Sequence, residues 1–537
     1  GIIQISGCVD AGKAHMVYGV GNGFGKKIIA TFSEQKAREL YEDCRFFDDN
    51  TVYYPAKDIL FYQSDLRGNQ LTKERMNAMK VLLEEEQMTL VTTFDGLMNR
   101  LMPLEKLTQF ILRLAPGDEL ILTEFTKQLV AMGYEKNYQA EAGGQFAVRG
   151  GILDVFSPLM EKPVRCELFG DEIDSMGLFD PGTQRRVQNV TEALILPCAE
   201  VLPHLAEGGL PGLADAMEAQ AKRLRRRQGT EKIVETVLAD AQQLRGGVLP
   251  GGLDRYLSLI HPQFTTALDY LDPASLVFLC EGGRIDQRAK STLLQLRQDA
   301  DTLMVAGYMA GEGADLLLSE NALYAALSDF PAVMMDALPT SRLPLKPRSL
   351  LHIDARQLSS YGGSLETAAA DMEHYRKSGS GVLVLCGGET RARNLLRILE
   401  ERGIPAVLDL EGRAMPAPGE VRLTLGALSA GSEWPSLNLA ILTEGQLTAK
   451  VAGREKKPRR VRTTGGSKLQ SWADLTPGDL VVHEQHGIGR FLEMRQRTIG
   501  TGANKTTREY LVIEYAPSKR GAPADKLFIP TDQLDQV

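Results

Sequence analysis

The chain has 537 residues, 43% hydrophobic and 24% charged, with a formal net charge of −8. That is the profile of a globular chain with room for three to five domains at roughly 100–200 residues each. The acidic balance excludes whole-chain electrostatic capture of nucleic acid, and no apolar run reaches the roughly 18–20 residues a membrane-spanning helix needs.

The opening Gly1-Ile-Ile-Gln-Ile-Ser-Gly7 reads as a strand rather than a leader, and the absence of Met suggests a piece of a longer chain. Residues 1–115 then alternate strand and helix signals: Ile2–Ile5, Lys27–Thr31 and Thr89–Thr93 are short apolar runs, with helical stretches at Ser33–Cys44 and Lys73–Glu86. This alternation predicts an α/β layer fold. Residues 116–200 change to β-type segments, Gln145–Val148, Ile152–Phe156, Val164–Phe169 and Ser175–Phe179, punctuated by Gly150-Gly151, Gly170-Asp171 and Pro181-Gly182. They predict a small antiparallel unit inserted into the α/β frame.

Residues 201–340 read as mostly helical, with a basic stretch at Lys222–Arg227 and one buried strand at Ser275–Cys280. A separate α/β domain is expected over 345–447, from strands Leu350–Ile353, Gly381–Cys386, Ala406–Leu408, Val421–Leu425 and Leu439–Leu442 and helices Ala368–Lys377 and Thr390–Arg402. Residues 448–468, with Lys456-Lys457-Pro458-Arg459-Arg460, hold too little apolar content to pack and read as a basic linker, either a solvated hinge or a nucleic-acid contact. The last stretch, 469–537, carries strands Leu480–Val482, Gly489–Met494, Tyr510–Tyr515 and Lys526–Ile529, the pattern of a small SH3-like barrel.

Cys8, Cys44, Cys166, Cys198, Cys280 and Cys386 form no C-x-x-C pair, so reduced thiols are expected rather than zinc or disulfides. His483 and His486 sit three apart and would face opposite sides of a strand, so no metal site is expected there. Gly487 and Gly489 read as the residues that permit the turn His486 enters. Cys386-Gly387-Gly388 before a helix is ordinary α/β turn chemistry.

The sharpest local motif is Gly7-Cys-Val-Asp-Ala-Gly12-Lys13-Ala14, which has the spacing and the strand-to-helix context of a phosphate-binding P-loop. The last position must offer a hydroxyl to Mg²⁺, and Ala14 has none. Asp10 places a carboxylate where phosphate would lie. The acidic strand such a site requires is best matched by Leu276–Glu281, where Cys280 replaces the metal-binding Asp and leaves Glu281 alone. Two losses in one site predict no hydrolysis, with no cofactor in this chain.

These degenerate motifs around an inserted β unit resemble the nucleotide-excision-repair subunit UvrB. The resemblance is carried by Gly144–Phe156, by Val164–Asp174 with Phe179-Asp180-Pro181, and by Leu268–Pro273 before Cys280-Glu281. One departure matters. Tyr53-Tyr54 runs almost directly into the helix near Lys73, leaving no room for that subunit's long aromatic hairpin. Pro477–Phe491, Glu509–Tyr515 and Asp525–Pro530 are similar to the RNA-polymerase-interacting domain of transcription-repair coupling factors, shared with CarD-like regulators. The order of units is that of the coupling factor. No intact P-loop and no Asp-Glu-x-x motif occurs, so the motor, with its ATP, Mg²⁺ and main DNA contacts, is expected outside this chain.

The resemblance implies that the inserted unit recruits UvrA through Arg149, Arg165 and Phe169. An Arg fork beside an exposed aromatic is typical anchor chemistry, whereas a core-facing Phe169 would be merely structural. Arg165→Glu is then expected to abolish UvrA capture without changing the melting temperature. The terminal barrel is expected to bind the β subunit of RNA polymerase around Met494, Arg497, Ile499 and Tyr510, in a bacterial cytoplasm. Two other readings stay open: an ATP-dependent repair helicase subunit of UvrB type using Gly12-Lys13, and a CarD-like regulator fused to an unrelated α/β module.

Overall fold

The computed structural model describes residues 1–57, 69–307, 309, 316–338, 345–362, 364–447, 477–483, 487–499, 506–515 and 525–530. The expected linker and His486 lie outside them.

The chain opens with β1 (Ile2–Ser6), α1 (Asp10–Val20), β2 (Lys26–Thr31), α2 (Glu34–Arg45), β3 (Thr51–Tyr54), α3 (Asn69–Glu84) and β4 (Met88–Thr93), followed by the short helices α4 (Phe94–Met98) and α5 (Leu104–Thr108). Ser33 starts α2 by accepting the Lys36 N–H on its hydroxyl. The segment expected to lack a hairpin falls largely on 58–68, outside the described residues; β3 ends at Tyr54 and α3 begins at Asn69.

The next unit contains β5 (Leu112–Leu114), α6 (Leu122–Ala131), β6 (Glu135–Lys136), β7 (Gln145–Arg149), β8 (Ile152–Phe156), β9 (Val164–Phe169), β10 (Glu172–Phe179), β11 (Arg186–Asn189) and β12 (Ala193–Ile195). Six of its strands form one sheet in the order β11-β10-β9-β8-β7-β6. β5 and β12 pair with each other where the chain enters and leaves, so the unit begins near 112 rather than 116. Sequence reading missed α6, whose Phe125 and Leu129 pack on Phe146, Leu153 and Val164 from one side of the sheet.

After it come the antiparallel helices α7 (Gly209–Leu224) and α8 (Glu231–Arg245), then α9 (Leu257–Ile260), β13 (Leu276–Cys280), α10 (Gly282–Ala306), α11 (Glu320–Leu327), β14 (Ala332–Asp336) and β15 (Ser349–His352). β13, β14 and β15 return to the opening strands and complete a seven-stranded parallel sheet, β15-β1-β14-β13-β2-β4-β3. Side chains alternate between its faces: Ile28, Val277 and Met334 enter one core, and Ile29, Phe278 and Val333 the other. Both faces are covered, which is why these strands read as continuous apolar runs.

Two expectations change here. β14 lies in a stretch read as helical. β15, read as the start of the later domain, instead pairs in parallel with β1, because its backbone completes an edge that sequence alone does not identify.

The later α/β unit therefore starts at β16 (Arg356–Gln357) and continues through α12 (Leu365–Lys377), β17 (Gly381–Cys386), α13 (Glu389–Glu401), β18 (Ala406–Leu408), β19 (Val421–Leu425), β20 (Ser432–Trp434), β21 (Leu439–Thr443) and α14 (Glu444–Leu447). Its sheet order is β16-β20-β21-β17-β19-β18. The final strands, β22 (Leu480–His483), β23 (Gly487–Ile499), β24 (Thr506–Tyr515) and β25 (Asp525–Pro530), form an antiparallel meander around Val481, Phe491, Leu511, Ile513 and Leu527. Gly489 is needed for packing rather than for a turn: a Cβ there would lie 2.3 Å from the Ile513 side chain.

One buried ion pair ties the inserted unit to the frame. Arg75 on α3 is 0% exposed. It donates to Glu200 Oε1 at 2.6 Å and to the Pro55 carbonyl at 2.7 Å, with its guanidinium 4.3 Å over the Tyr54 ring. Burial pushes the Glu200 carboxyl up, but attraction to Arg75 and Lys57 outweighs it and the net shift is downward. A depressed folded pKa means that the pair's contribution is present above the unfolded value and is lost as pH falls through the folded one. Arg75→Met should cost about 3–5 kcal/mol in urea denaturation at neutral pH, because Glu200 is left buried and unpaired. A loss below about 1 kcal/mol, the range of a surface pair, would contradict this account.

Candidate functional site

The loop after β1 leads directly into α1, and several of its donors are engaged within the chain. Gly7 has φ +75°, and a Cβ there would lie 2.0 Å from the Ile353 carbonyl oxygen, so only glycine fits. The Cys8 N–H donates to the Asp336 carbonyl and the Gly12 N–H to the Val9 carbonyl. Lys13 sits in the first turn of α1, buried, with Nζ 2.5 Å from Asp10 Oδ1 and 2.7 Å from Glu281 Oε1.

Burial opposes charge on Lys13, but the groups around it win and its pKa is raised. The Cys280 thiol is itself pushed up to about 12 by burial, so it is neutral at pH 7 and the carboxylates hold the proton on Lys13. Ala14 and Cys280 both face the apolar cluster around Val17 and Phe278 and offer no oxygen to a metal. Glu281, with φ +63°, also accepts the Ala337 N–H at 3.1 Å. Asp336, which sequence reading missed, ends β14 beside it and accepts from Gln4 and from the Gly282 N–H.

The later α/β unit covers this loop. A Cβ at Gly12 would sit 3.0 Å from the Trp434 ring, and Met16 and Ile353 pack with Leu385, Trp434 and Ile441. Asp43 on α2 accepts from the Ser429 N–H at 2.6 Å and the Ser429 hydroxyl at 2.7 Å. The turn at Gly387 is likewise occupied from within, its N–H donating to Glu444.

In the inserted unit the three expected residues separate into two roles. Asp154 on β8 is fully buried. Arg165 grips both of its oxygens, at 2.7 and 2.8 Å, and Arg149 adds a third contact at 2.6 Å. The Arg165 guanidinium also lies 4.3 Å over the Phe179 ring, and its side chain is only 14% exposed. Arg165 is thus a clasp that neutralises Asp154, and the expectation that Arg165→Glu leaves stability untouched does not survive: a glutamate would set two carboxylates against each other. Phe169 is 85% exposed at the end of β9, beside the Gly170 turn. The Leu168 N–H donates to the Gly151 carbonyl, placing Phe169 at the same end of the sheet as Arg149.

In the terminal meander, Met494 is partly buried against the core. Arg497 and Ile499 lie on β23 opposite Arg508 and Thr506, and Tyr510 lies on β24 between Arg495 and Pro530. Among the described residues nothing pairs with β23 beyond Phe491 on the edge away from β24. Sequence reading missed Leu480, Val482 and Ile488, all exposed and clustered on β22 and β23. The alternation around buried Val481 carries that signal.

Residues 112–200 match the family model of the UvrB interaction domain, and residues 475–537 match that of the CarD-like/TRCF RID domain. The chain thus carries both modules, one set into the parallel sheet and one at its end. Its curated relatives include the transcription-repair-coupling factors of Bacillus subtilis, 26% identical over 98% of this chain and 44% of that protein, and Staphylococcus haemolyticus, 27% identical over 95% of this chain and 42% of that protein. The chain spans less than half the length of these relatives.

Two outcomes follow. Arg165→Glu should lower stability by about 3 kcal/mol, the cost of unpairing a buried charge, while Phe169→Ala stays within about 0.5 kcal/mol; matched losses in thermal melts would overturn the division. Burial pushes the Asp43 carboxyl up to about 6 despite the opposing Ser429 hydrogen bonds. A raised folded pKa means that the contribution is complete below the unfolded value of about 3.9 and is lost as pH rises through the folded one. The stability difference between wild type and Asp43→Asn should therefore move by about 2 kcal/mol against wild type from pH 4 to pH 7. A difference independent of pH would refute it.

Proposed function

We propose that the chain is the docking part of a transcription-repair coupling factor and catalyses nothing itself. The unit at 112–200 recruits UvrA, with Phe169 as the anchor, Arg149 as the polar contact beside it and Arg165 positioning Arg149 through Asp154. The terminal meander, read as an SH3-like barrel, binds the β subunit of RNA polymerase. Its β23 edge away from β24, from Met494 through Arg497 to Ile499, pairs with no strand among the described residues and suits main-chain strand addition, and Tyr510 lies on the adjoining strand. The parallel sheet is a P-loop frame that no longer takes ATP and Mg²⁺, and the motor belongs to the part of the longer relatives that this chain does not span. The setting is the bacterial cytoplasm.

The exposure of Phe169 carries the reading. An aromatic this bare, at the tip of a sheet whose arginines are already fixed, is an anchor held ready for a partner's pocket. Phe169→Ala should weaken capture by immobilised UvrA by about 30-fold or more, the effect of a 2 kcal/mol hot spot, and leave capture by a polymerase β fragment unchanged. Undiminished UvrA capture would refute the assignment. Tight, Mg²⁺-dependent ATP binding in calorimetry would instead favour a UvrB-type ATPase subunit.

A further inference from the structure

The turn between α7 and α8 has no part in either docking unit. Lys222, Arg223, Arg225, Arg226 and Arg227 crowd it, and all five are exposed. None of Lys222, Arg223, Arg225 and Arg226 has an ion-pair partner among the described residues. The nearby acids of α7, Asp215 and Glu218, are engaged with Arg245 at 2.5 and 3.0 Å.

The turn is also tied into the fold. The Thr230 hydroxyl donates to the Leu224 and Arg227 carbonyls at 2.7 and 2.9 Å, satisfying the end of α7 from within. Leu224, Ala221, Ile233 and Val234 fix it to the helical core. From 222 to 226 only Leu224 is buried, and Lys222 and Arg223 before it and Arg225 and Arg226 after it are all exposed.

One or two cations in a last turn are accounted for by the helix dipole, and Lys222 and Arg223 fill that place. Arg225 and Arg226 lie beyond it. Crowding like charges on one tip costs self-repulsion, in a chain whose net charge is −8. Four exposed cations on one tip suit a partner with several anionic groups spaced along a rod. The phosphates of a duplex have that arrangement, and arginine forks match them bidentately.

We infer that the α7–α8 turn is a sequence-independent contact for the phosphodiester backbone of duplex nucleic acid. It requires neither UvrA nor polymerase and stands apart from the proposed docking sites.

The test is fluorescence anisotropy of the full chain with a labelled random-sequence duplex of about 30 base pairs, at salt from about 50 to 200 mM. Arg223→Glu/Arg226→Glu should weaken binding at least about 10-fold and reduce the log–log salt slope by about 2, with an unchanged melting temperature. Arg225→Ala/Arg226→Ala serves the same purpose without charge reversal and should act in the same direction. A variant with Lys456, Lys457, Arg459 and Arg460 all replaced by Ala should still bind. The inference fails if the wild type shows no salt-dependent binding, if only the 456–460 variant loses it, or if poly-glutamate competes as well as duplex at equal charge.

Discussion

The ammonium of Lys13 sits between the carboxylates of Asp10 and Glu281, and the frame is arranged around that ion triad. It lies at the carboxyl ends of β1 and β13, the crevice where parallel α/β sheets usually take a ligand. Here the chain supplies its own anions, and the Cys8 and Gly12 N–H groups of the loop are bonded to its own carbonyls. A phosphate would have to displace two carboxylates from a buried lysine, with Trp434 packed across the adjoining turn. On the proposed reading, charge neutralised in this way lets the sheet hold its shape without a nucleotide and serve as a mount for other units.

The same device recurs at Asp154, where two arginines satisfy a buried carboxylate, and at Glu200, where Arg75 does so. In each case a buried acid fixes a cation whose position matters to its surroundings. Removing one partner of such a pair is costly, while the exposed residues near it change at little cost. On the proposed reading this division explains how the 112–200 unit presents its contact face: Arg165 is committed to the fold and holds Arg149 in place through Asp154, and Phe169 and Arg149 are left for recognition.

Much of the frame was legible in the sequence because its signals are local. Short apolar runs gave β1, β2 and β4, and β-type runs flanked by Gly gave the hairpins of the inserted unit, to within a few residues. What could not be read depends on contacts distant in sequence. β14 is Ala-Val-Met-Met-Asp, with a single β-branched residue to mark it as a strand. β15 carries an ordinary strand signal, but nothing local says that it joins β1 instead of β17. The Arg165–Asp154 clasp follows from the β8–β9 register, which sets the two residues opposite each other. The Asp43–Ser429 contact joins residues almost 400 apart.

The central claim is that one chain holds a repair protein and a polymerase at separate sites without nucleotide. Light scattering coupled to size exclusion, on an equimolar mixture of this chain, purified UvrA and a polymerase β fragment with no ATP added, tests it most directly. The account predicts a single species containing all three. Binary complexes that exclude each other, or a ternary species that this chain forms only when ATP is supplied, would contradict it.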